Sequence, residues 1–117
     1  MPAGRLMIHF QRVTGYDPWA SELSVNKRGA AVAIETVGGD GEKRQTFTLT
    51  PTALRRLRRL VDRTRLRDTW CCSARSYIYV VYIDNHAWRL QQGRIPASMK
   101  PLIADLNAIT NAHTIWN

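Results

Sequence analysis

The most chemically suggestive residues of this chain are arginines that crowd one short stretch. Seven of them fall within thirteen residues, at positions 55, 56, 58, 59, 63, 65 and 67. Only Asp62 and Asp68 offset them, so seven minus two leaves a charge of +5 over this stretch. At 100° per residue, the arginines cover the whole polar side of a predicted helix. Such a helix can contact phosphates along a nucleic acid, with strong salt dependence.

Two interpretations of this stretch are open from the sequence. In the first, Arg55, Arg56, Arg59 and Arg63 form a basic binding surface for nucleic acid. In the second, the arginines form a solvated face, because Asp62 stands four residues after Arg58 and can pair with it. No helix-turn-helix, RNP, KH or zinc-finger signature accompanies the stretch.

Other residue types that carry chemistry do not form a catalytic or metal-binding set. Cys71 and Cys72 are adjacent, so they rarely ligate one ion together, and His86 leaves a fourth ligand missing. A thiol nucleophile needs a positioned histidine, which the spacing does not indicate. His9 is expected at the surface and His113 in a tail. Phosphate-binding loops, nucleophile elbows and paired carboxylates are absent from the sequence. We therefore predict no enzymatic activity, no metal and no cofactor.

The composition describes one folded domain with an excess of positive charge. The chain has 117 residues, 44% hydrophobic and 22% charged, with a net charge of +8 and a pI near 10.3. This charge favours attraction to nucleic acid, an anionic membrane surface or an acidic protein. Of the seventeen basic residues, fourteen are arginine, a skew that G+C-rich codon usage alone can produce. We treat residues 1–117 as a single α+β domain, with 1–5 and 113–117 as its termini.

Hydropathy predicts no membrane span, because no window of about 18 apolar residues occurs. No apolar h-region follows the first residues, so we expect a cytoplasmic protein unless a leader has been removed.

The stretch from Tyr77 to Ile83 is the element around which we expect the fold to form. All seven residues are β-branched or aromatic, and neither face of such a strand is polar. It therefore predicts a central strand in which Val80 and Val81 are buried on opposite faces. If one face lacks cover, Tyr77 and Tyr79 form an apolar patch that favours association. We accordingly expect a monomer or a weak homodimer.

The remaining elements complete a single antiparallel sheet with two helices. Further strands are predicted at Leu6 to Arg12, Glu22 to Lys27, Ala30 to Val37, Lys43 to Leu49 and Ala87 to Gln91. Thr50 as N-cap and Pro51 begin a helix that runs to Thr64. A second helix begins at Pro101 or after a short turn, and buries Leu102, Ile103, Leu106 and Ile109. The fold class is α+β, with five or six strands in the order β-β-β-β-α-β-β-α.

Several segments together resemble one known family. They are Leu6 to Arg12 with Thr14-Gly15-Tyr16, the helix with Leu54, Leu57, Leu60 and Val61, the strand Tyr77 to Ile83, and Ile95-Pro96 through Pro101-Leu102-Ile103. This order is similar to the emfourin-like family, small bacterial proteins named for an inhibitor of thermolysin-type metalloproteases. The resemblance implies a non-enzymatic protein-binding module, most specifically a protease inhibitor or a relative of one.

For an inhibitor, the loop from Gly15 to Trp19 is the candidate contact. Its bulky aromatics Tyr16 and Trp19 suit an apolar specificity pocket, and Asp17 can approach the metal of the protease. Nucleic-acid binding through the arginine-rich helix is the alternative function. A third is a subunit of a larger bacterial or phage-associated assembly, in which the basic face meets an acidic partner.

Overall fold

The computed structural model describes residues 6–13, 19–37, 41–63, 78–83, 86–91, 93 and 95–113. These residues form six strands and two helices. In chain order the elements are β1 (Leu6–Val13), β2 (Trp19–Asn26), β3 (Ala30–Val37), β4 (Glu42–Thr48), α1 (Pro51–Arg63), β5 (Ile78–Ile83), β6 (His86–Gln91) and α2 (Lys100–His113), with a 3₁₀ turn Ala97–Met99 leading into α2. None of the described helices has the length and apolar character needed to cross a membrane.

The strands form one sheet in the order β4-β3-β2-β1-β5-β6, and every neighbouring pair is antiparallel. This confirms the predicted α+β class and the predicted order of elements. β5 is paired on both edges, by β1 and by β6. The sheet therefore places the apolar strand between two hydrogen-bonded neighbours.

One face of the sheet carries the hydrophobic core. The register places Phe10 of β1 opposite Leu23 and Val81, and Val81 opposite Trp88. These side chains are buried together with Leu57 of α1 and with Leu102, Ile103 and Leu106 of α2. Both helices thus lie on this face, which we call the covered face. Trp88 is buried in this core as well.

The opposite face of the sheet has a mixed character and no described helix on it. Val80 lies on this face with 7% of its surface exposed, whereas its neighbour Val81 lies on the covered face with 0% exposed. The predicted burial of both valines with opposite orientations is confirmed. Only Val81 belongs to the core cluster, however, and Tyr82 beside Val80 is 39% exposed. The two faces of β5 are therefore not equivalent.

Some predicted boundaries were wrong, and each has a physical reason. β2 begins at Trp19 instead of Glu22, because the polar Ser21 is buried in the strand and accepts a hydrogen bond from Arg12 Nε at 2.8 Å. β6 begins at His86 instead of Ala87, because His86 pairs with Ile83 of β5. His113 is the last residue of α2, where its ring stacks on Phe47 with a centroid distance of 3.6 Å, so it is not part of a tail.

Several other predictions fall on residues that lie outside the described part of the chain. These are the loop 14–18, Arg65, Arg67, Cys71, Cys72, Tyr77 and the terminal residues 1–5 and 114–117.

Candidate functional site

The first helix uses one narrow stripe for packing and presents arginines elsewhere. Leu57 is 0% exposed, and Ala53, Leu54, Leu60 and Val61 pack around it against the core. The other side of the helix bears five exposed arginines, Arg55, Arg56, Arg58, Arg59 and Arg63. By helix geometry they span an arc of about 160° and a length of about 12 Å. All four predicted site residues of this helix therefore share one exposed surface, and Arg58 joins them.

Helix α1 begins where the sequence predicted. The backbone N–H of Ala53 donates to Thr50 Oγ1 at 3.1 Å, so Thr50 caps the helix with its side chain. The N–H of Leu54 donates to the Thr50 carbonyl at 2.9 Å and closes the first turn. Pro51 occupies the first helical position, where no intrahelical donor is required. Thr50 and Pro51 thus fix where α1 begins, while the packing of its apolar stripe around Leu57 determines which side carries the exposed arginines.

The turn between β2 and β3 adds two cations beside α1. Its conformation is held by Asn26, whose Oδ1 accepts from the N–H groups of Arg28 and Ala30, each at 2.9 Å. Gly29 has φ +93°, and a Cβ there would lie 3.2 Å from the Leu54 side chain, so the turn needs glycine. Lys27 and Arg28 are exposed on this turn. We use the term basic surface for Lys27 and Arg28 together with the five arginines of α1.

A hydrogen bond ties this turn to the helix. Arg58 Nη2 donates to the carbonyl oxygen of Lys27 at 2.6 Å. The guanidinium of Arg58 is thereby held at the junction of α1 and the turn, and its other donors have no acceptor among the described residues. The basic surface is consequently a continuous feature built from two elements.

The arginines of α1 are not neutralised by the carboxylates described nearby. None of the five forms an ion pair with a described carboxylate, and the predicted pairing of Arg58 with Asp62 is not formed. The ion pair between Arg44 and Glu42, at 3.0 Å, lies on β4 instead. The positive charges of α1 are therefore not compensated by ion pairs with described carboxylates.

One carboxylate of α2, that of Asp105, lies close enough to α1 for the charge of Arg56 to affect its pKa. Burial raises the pKa of Asp105 above its ordinary value of 3.8, and the nearby Arg56 partly opposes this change. Asp105 Oδ2 is buried without a hydrogen-bond partner among the described residues. Arg56 thus lies near the boundary of the two helices.

A small pocket opens at the edge of the basic surface. Its volume is about 220 Å³, and its described lining consists of Met7, Lys27, Arg58, Val61, Asp62 and Ile83. A second, shallower depression lies over the helix and is lined by Arg55, Arg58, Arg59, Asp62 and Arg63. Arg58 and Asp62 border both, so the pocket and the arginines of α1 form one region.

A buried arginine elsewhere in the molecule is structural. Arg12 is 6% exposed and lies under α2, where its Nη1 donates to Asn111 Oδ1 at 2.6 Å and to Asn107 Oδ1 at 3.3 Å. With the bond from its Nε to Ser21, these contacts attach α2 to the sheet. Sequence reasoning missed this cluster, although Asn107 and Asn111 stand one helical turn apart.

On the opposite face of the sheet, His9 is engaged by its neighbours. The Nδ1 atom of His9 lies 2.7 Å from Ser24 Oγ, and its ring lies 5.5 Å from that of Tyr82. Burial lowers the pKa of His9, and the charge of Glu22 partly opposes this. Glu22 itself accepts a hydrogen bond from Gln11 at 2.9 Å. This histidine is half-buried and held by the sheet, which corrects the prediction of a plain surface residue.

The other predicted contact residues have no described side chains. Tyr16 and Asp17 lie outside the described residues, and Trp19 is described only as the first backbone position of β2. No group of three or more potential metal ligands occurs within the described ranges. Lys27 and Arg28 were missed as site residues because only the fold brings the β2–β3 turn beside α1, and the contact of Arg58 with this turn was missed for the same reason.

Comparison with protein-family models, curated proteins and solved structures finds no match for this chain.

Proposed function

We propose that this protein is a non-enzymatic binding module that holds nucleic acid through its basic surface. One observation supports the proposal above the others. Five arginines on one helix are exposed together, and none is paired with a described carboxylate. Guanidinium groups in this state are suited to phosphate, which they bind through paired hydrogen bonds.

The character of the surface favours a phosphate backbone over an acidic protein as the partner. Protein interfaces have an apolar core, usually with aromatic residues, inside a polar rim. Among the described residues, the one large hydrophobic side chain classed as exposed is Tyr82, on the face of the sheet that α1 does not cover. In the described part of the chain, the basic surface has cations without an exposed aromatic centre, a composition that suits contacts to a charged phosphate backbone.

A charge-matched pair of variants tests this proposal. The first replaces Arg55, Arg56, Arg59 and Arg63 with Gln, and the second replaces Lys43, Arg44, Arg89 and Lys100, all exposed elsewhere, with Gln. Both lose four positive charges. Fluorescence anisotropy with labelled single-stranded and duplex oligonucleotides at low salt measures their affinities, and circular dichroism checks that they fold.

We expect the α1 variant to lose most of its affinity and the control variant to keep most of it. Equal losses would mean that net charge alone attracts nucleic acid. Wild-type protein that binds neither oligonucleotide at low salt would refute the proposal. Binding to an acidic polypeptide that exceeds binding to every oligonucleotide would favour an assembly subunit with an acidic partner.

Inhibition of a thermolysin-type metalloprotease is a second proposal, and it is supported by the resemblance of the sequence alone. Its candidate contact residues are Tyr16, Asp17 and Trp19, whose side chains lie outside the described structure. Inhibition assays against a panel of such proteases test it directly. No inhibition at micromolar protein concentration would remove it, and inhibition lost on replacing Tyr16 and Trp19 with Ser would support it.

A further inference from the structure

We propose that the pocket beside the basic surface receives one unpaired nucleobase of a bound strand, and that it prefers cytosine to thymine or uracil. The inference rests on the proposed function, because it assigns a role in base recognition to a pocket adjoining the phosphate-binding arginines. It names single-stranded nucleic acid as the ligand class.

The size of the pocket limits what can enter it. Its volume of about 220 Å³ is below the range of about 300–1,000 Å³ that is usual for pockets of drug-sized ligands. A single nucleobase matches this space better than an extended ligand does.

Apolar side chains provide surfaces against which a flat ring can lie. Met7 and Ile83 are largely buried, and Val61 is half-buried on the inner side of α1. The β1–β2 register shifts at Met7, between Leu6 and Ile8, and such an irregularity changes the direction of a side chain. Met7 lines the pocket beside Ile83 and Val61, and its flexible thioether adapts to a ring.

The polar residues of the pocket distinguish one pyrimidine from the other. Asp62 offers carboxylate acceptors, while Lys27 and Arg58 offer donors. Cytosine carries an amino group that donates to a carboxylate, beside ring acceptors that suit the two cations. Thymine and uracil place a carbonyl oxygen where cytosine has this amino group, so Asp62 would repel them. An acidic residue among five arginines, without an ion pair to any of them, fits this role.

The position of the pocket points to a single strand. A base inside a duplex is stacked and cannot enter a recess in the protein surface, whereas a base of a single strand can be turned outward. Because Arg58 and Asp62 border both the pocket and the depression over α1, the neighbouring phosphates of the same strand would lie over the arginines.

Anisotropy titrations with labelled oligo(dC) and oligo(dT) of equal length, at neutral pH and low salt, test the inference. We expect wild-type protein to bind oligo(dC) about tenfold more tightly, the order of discrimination that one well-placed base contact supplies. Asp62→Ala removes the acceptor and one negative charge, so it should abolish the preference while strengthening binding to oligo(dT). Glu42→Ala makes the same change of charge at the far end of β4 and should leave the preference intact.

The outcomes separate this inference from the proposed function. Equal affinity for oligo(dC) and oligo(dT) would overturn the inference and leave binding by the basic surface standing, whereas no binding of either would overturn both. A preference for oligo(dC) that persists in Asp62→Ala would also overturn the assignment. Free cytidine monophosphate is the last probe: if it binds as tightly as the oligonucleotide, the pocket serves a free nucleotide instead of a strand.

Discussion

The two helices of this protein lie on the same face of one sheet, yet their outer surfaces differ completely. The exposed positions of α1 include five arginines and one aspartate. Those of α2 are Lys100, Pro101, Ala104, Ala108, Asn111 and Ala112, so its only exposed cation is at its first residue. On their inner sides, α2 buries more residues than α1. Helix α1 buries Leu57 alone, whereas α2 buries Leu102, Ile103, Leu106 and Thr110.

This difference bears on why the chain is so rich in arginine. G+C-rich codon usage would supply arginine to the exposed positions of both helices, and packing on the sheet requires it on neither. The charge is instead concentrated on α1 and on the turn beside it. We infer that the arginines of α1 are there for what they contact outside the protein, and that α2 is the helix with the larger structural role.

The largest expected effect on stability comes from the buried leucine of each helix. Leu57 and Leu106 are both 0% exposed. Truncation of either to Ala should lower the free energy of unfolding by about 2–5 kcal/mol, through lost burial and the cavity left behind. Urea denaturation measures both variants. A neutral effect of Leu57→Ala would mean that α1 is not packed on the sheet, and the comparison of the two helices would fail.

A smaller effect is expected from the polar attachment of α2. Asn111→Ala removes the acceptor that lies 2.6 Å from Nη1 of the buried Arg12 and should cost about 1–3 kcal/mol, because a buried charged donor loses one of its acceptors. The higher helix propensity of Ala offsets only a few tenths of this. Thr52→Ala, at an exposed position of α1, is the matched control and should change stability little. If Asn111→Ala is as mild as the control, the Arg12 cluster does not hold α2.

The N-cap of α1 should contribute about 1 kcal/mol to the free energy of unfolding, the usual value for a threonine cap. Thr50→Ala removes the acceptor for the Ala53 N–H. The loss should be local, so amide hydrogen exchange should rise at Ala53 and Leu54 and remain unchanged along α2. The 3₁₀ turn before α2 has no side-chain cap of this kind, since Pro96 occupies that position. Faster exchange in both helices would instead indicate that they unfold as one unit.

The smallest effect concerns Asp105, between the two helices. Burial raises its pKa in the folded protein, so between its ordinary value and the raised value the folded state holds more protons than the unfolded state. The contribution of Asp105 to the free energy of unfolding therefore falls as the pH rises through this window. Asp105→Asn should remove this part of the pH dependence and make the variant relatively more stable at neutral pH. A variant that loses stability only at neutral pH would show that attraction to Arg56 outweighs burial.

The sequence predicted the parts of the fold that depend on local patterns. The alternation of residues in β1 and β3, the Thr50-Pro51 helix start and the apolar run of β5 all gave elements close to those observed. It failed where a polar residue is buried, as with Ser21, whose place in β2 depends on Arg12 from another strand. The sequence also predicted that His113 lies in a tail. This prediction was wrong because the ring of His113 stacks on Phe47, a contact between distant parts of the chain.

The candidate site shows the same limit. The arginines of α1 were predictable, because helical periodicity and one apolar stripe determine which positions point outward. The contribution of Lys27 and Arg28 was not, since it depends on Gly29 bringing the β2–β3 turn against Leu54. The pocket between this turn, α1 and the ends of β1 and β5 is a property of the folded chain alone.

The most direct test of the central claim is the salt dependence of single-strand binding, compared between wild-type protein and the variant with Arg55, Arg56, Arg59 and Arg63 replaced by Gln. Each phosphate contact contributes about −0.7 to the slope of log K against log salt concentration. If these four arginines contact phosphates, the variant's slope should be shallower by about three. Equal slopes for the two proteins would contradict the claim that α1 is the binding surface.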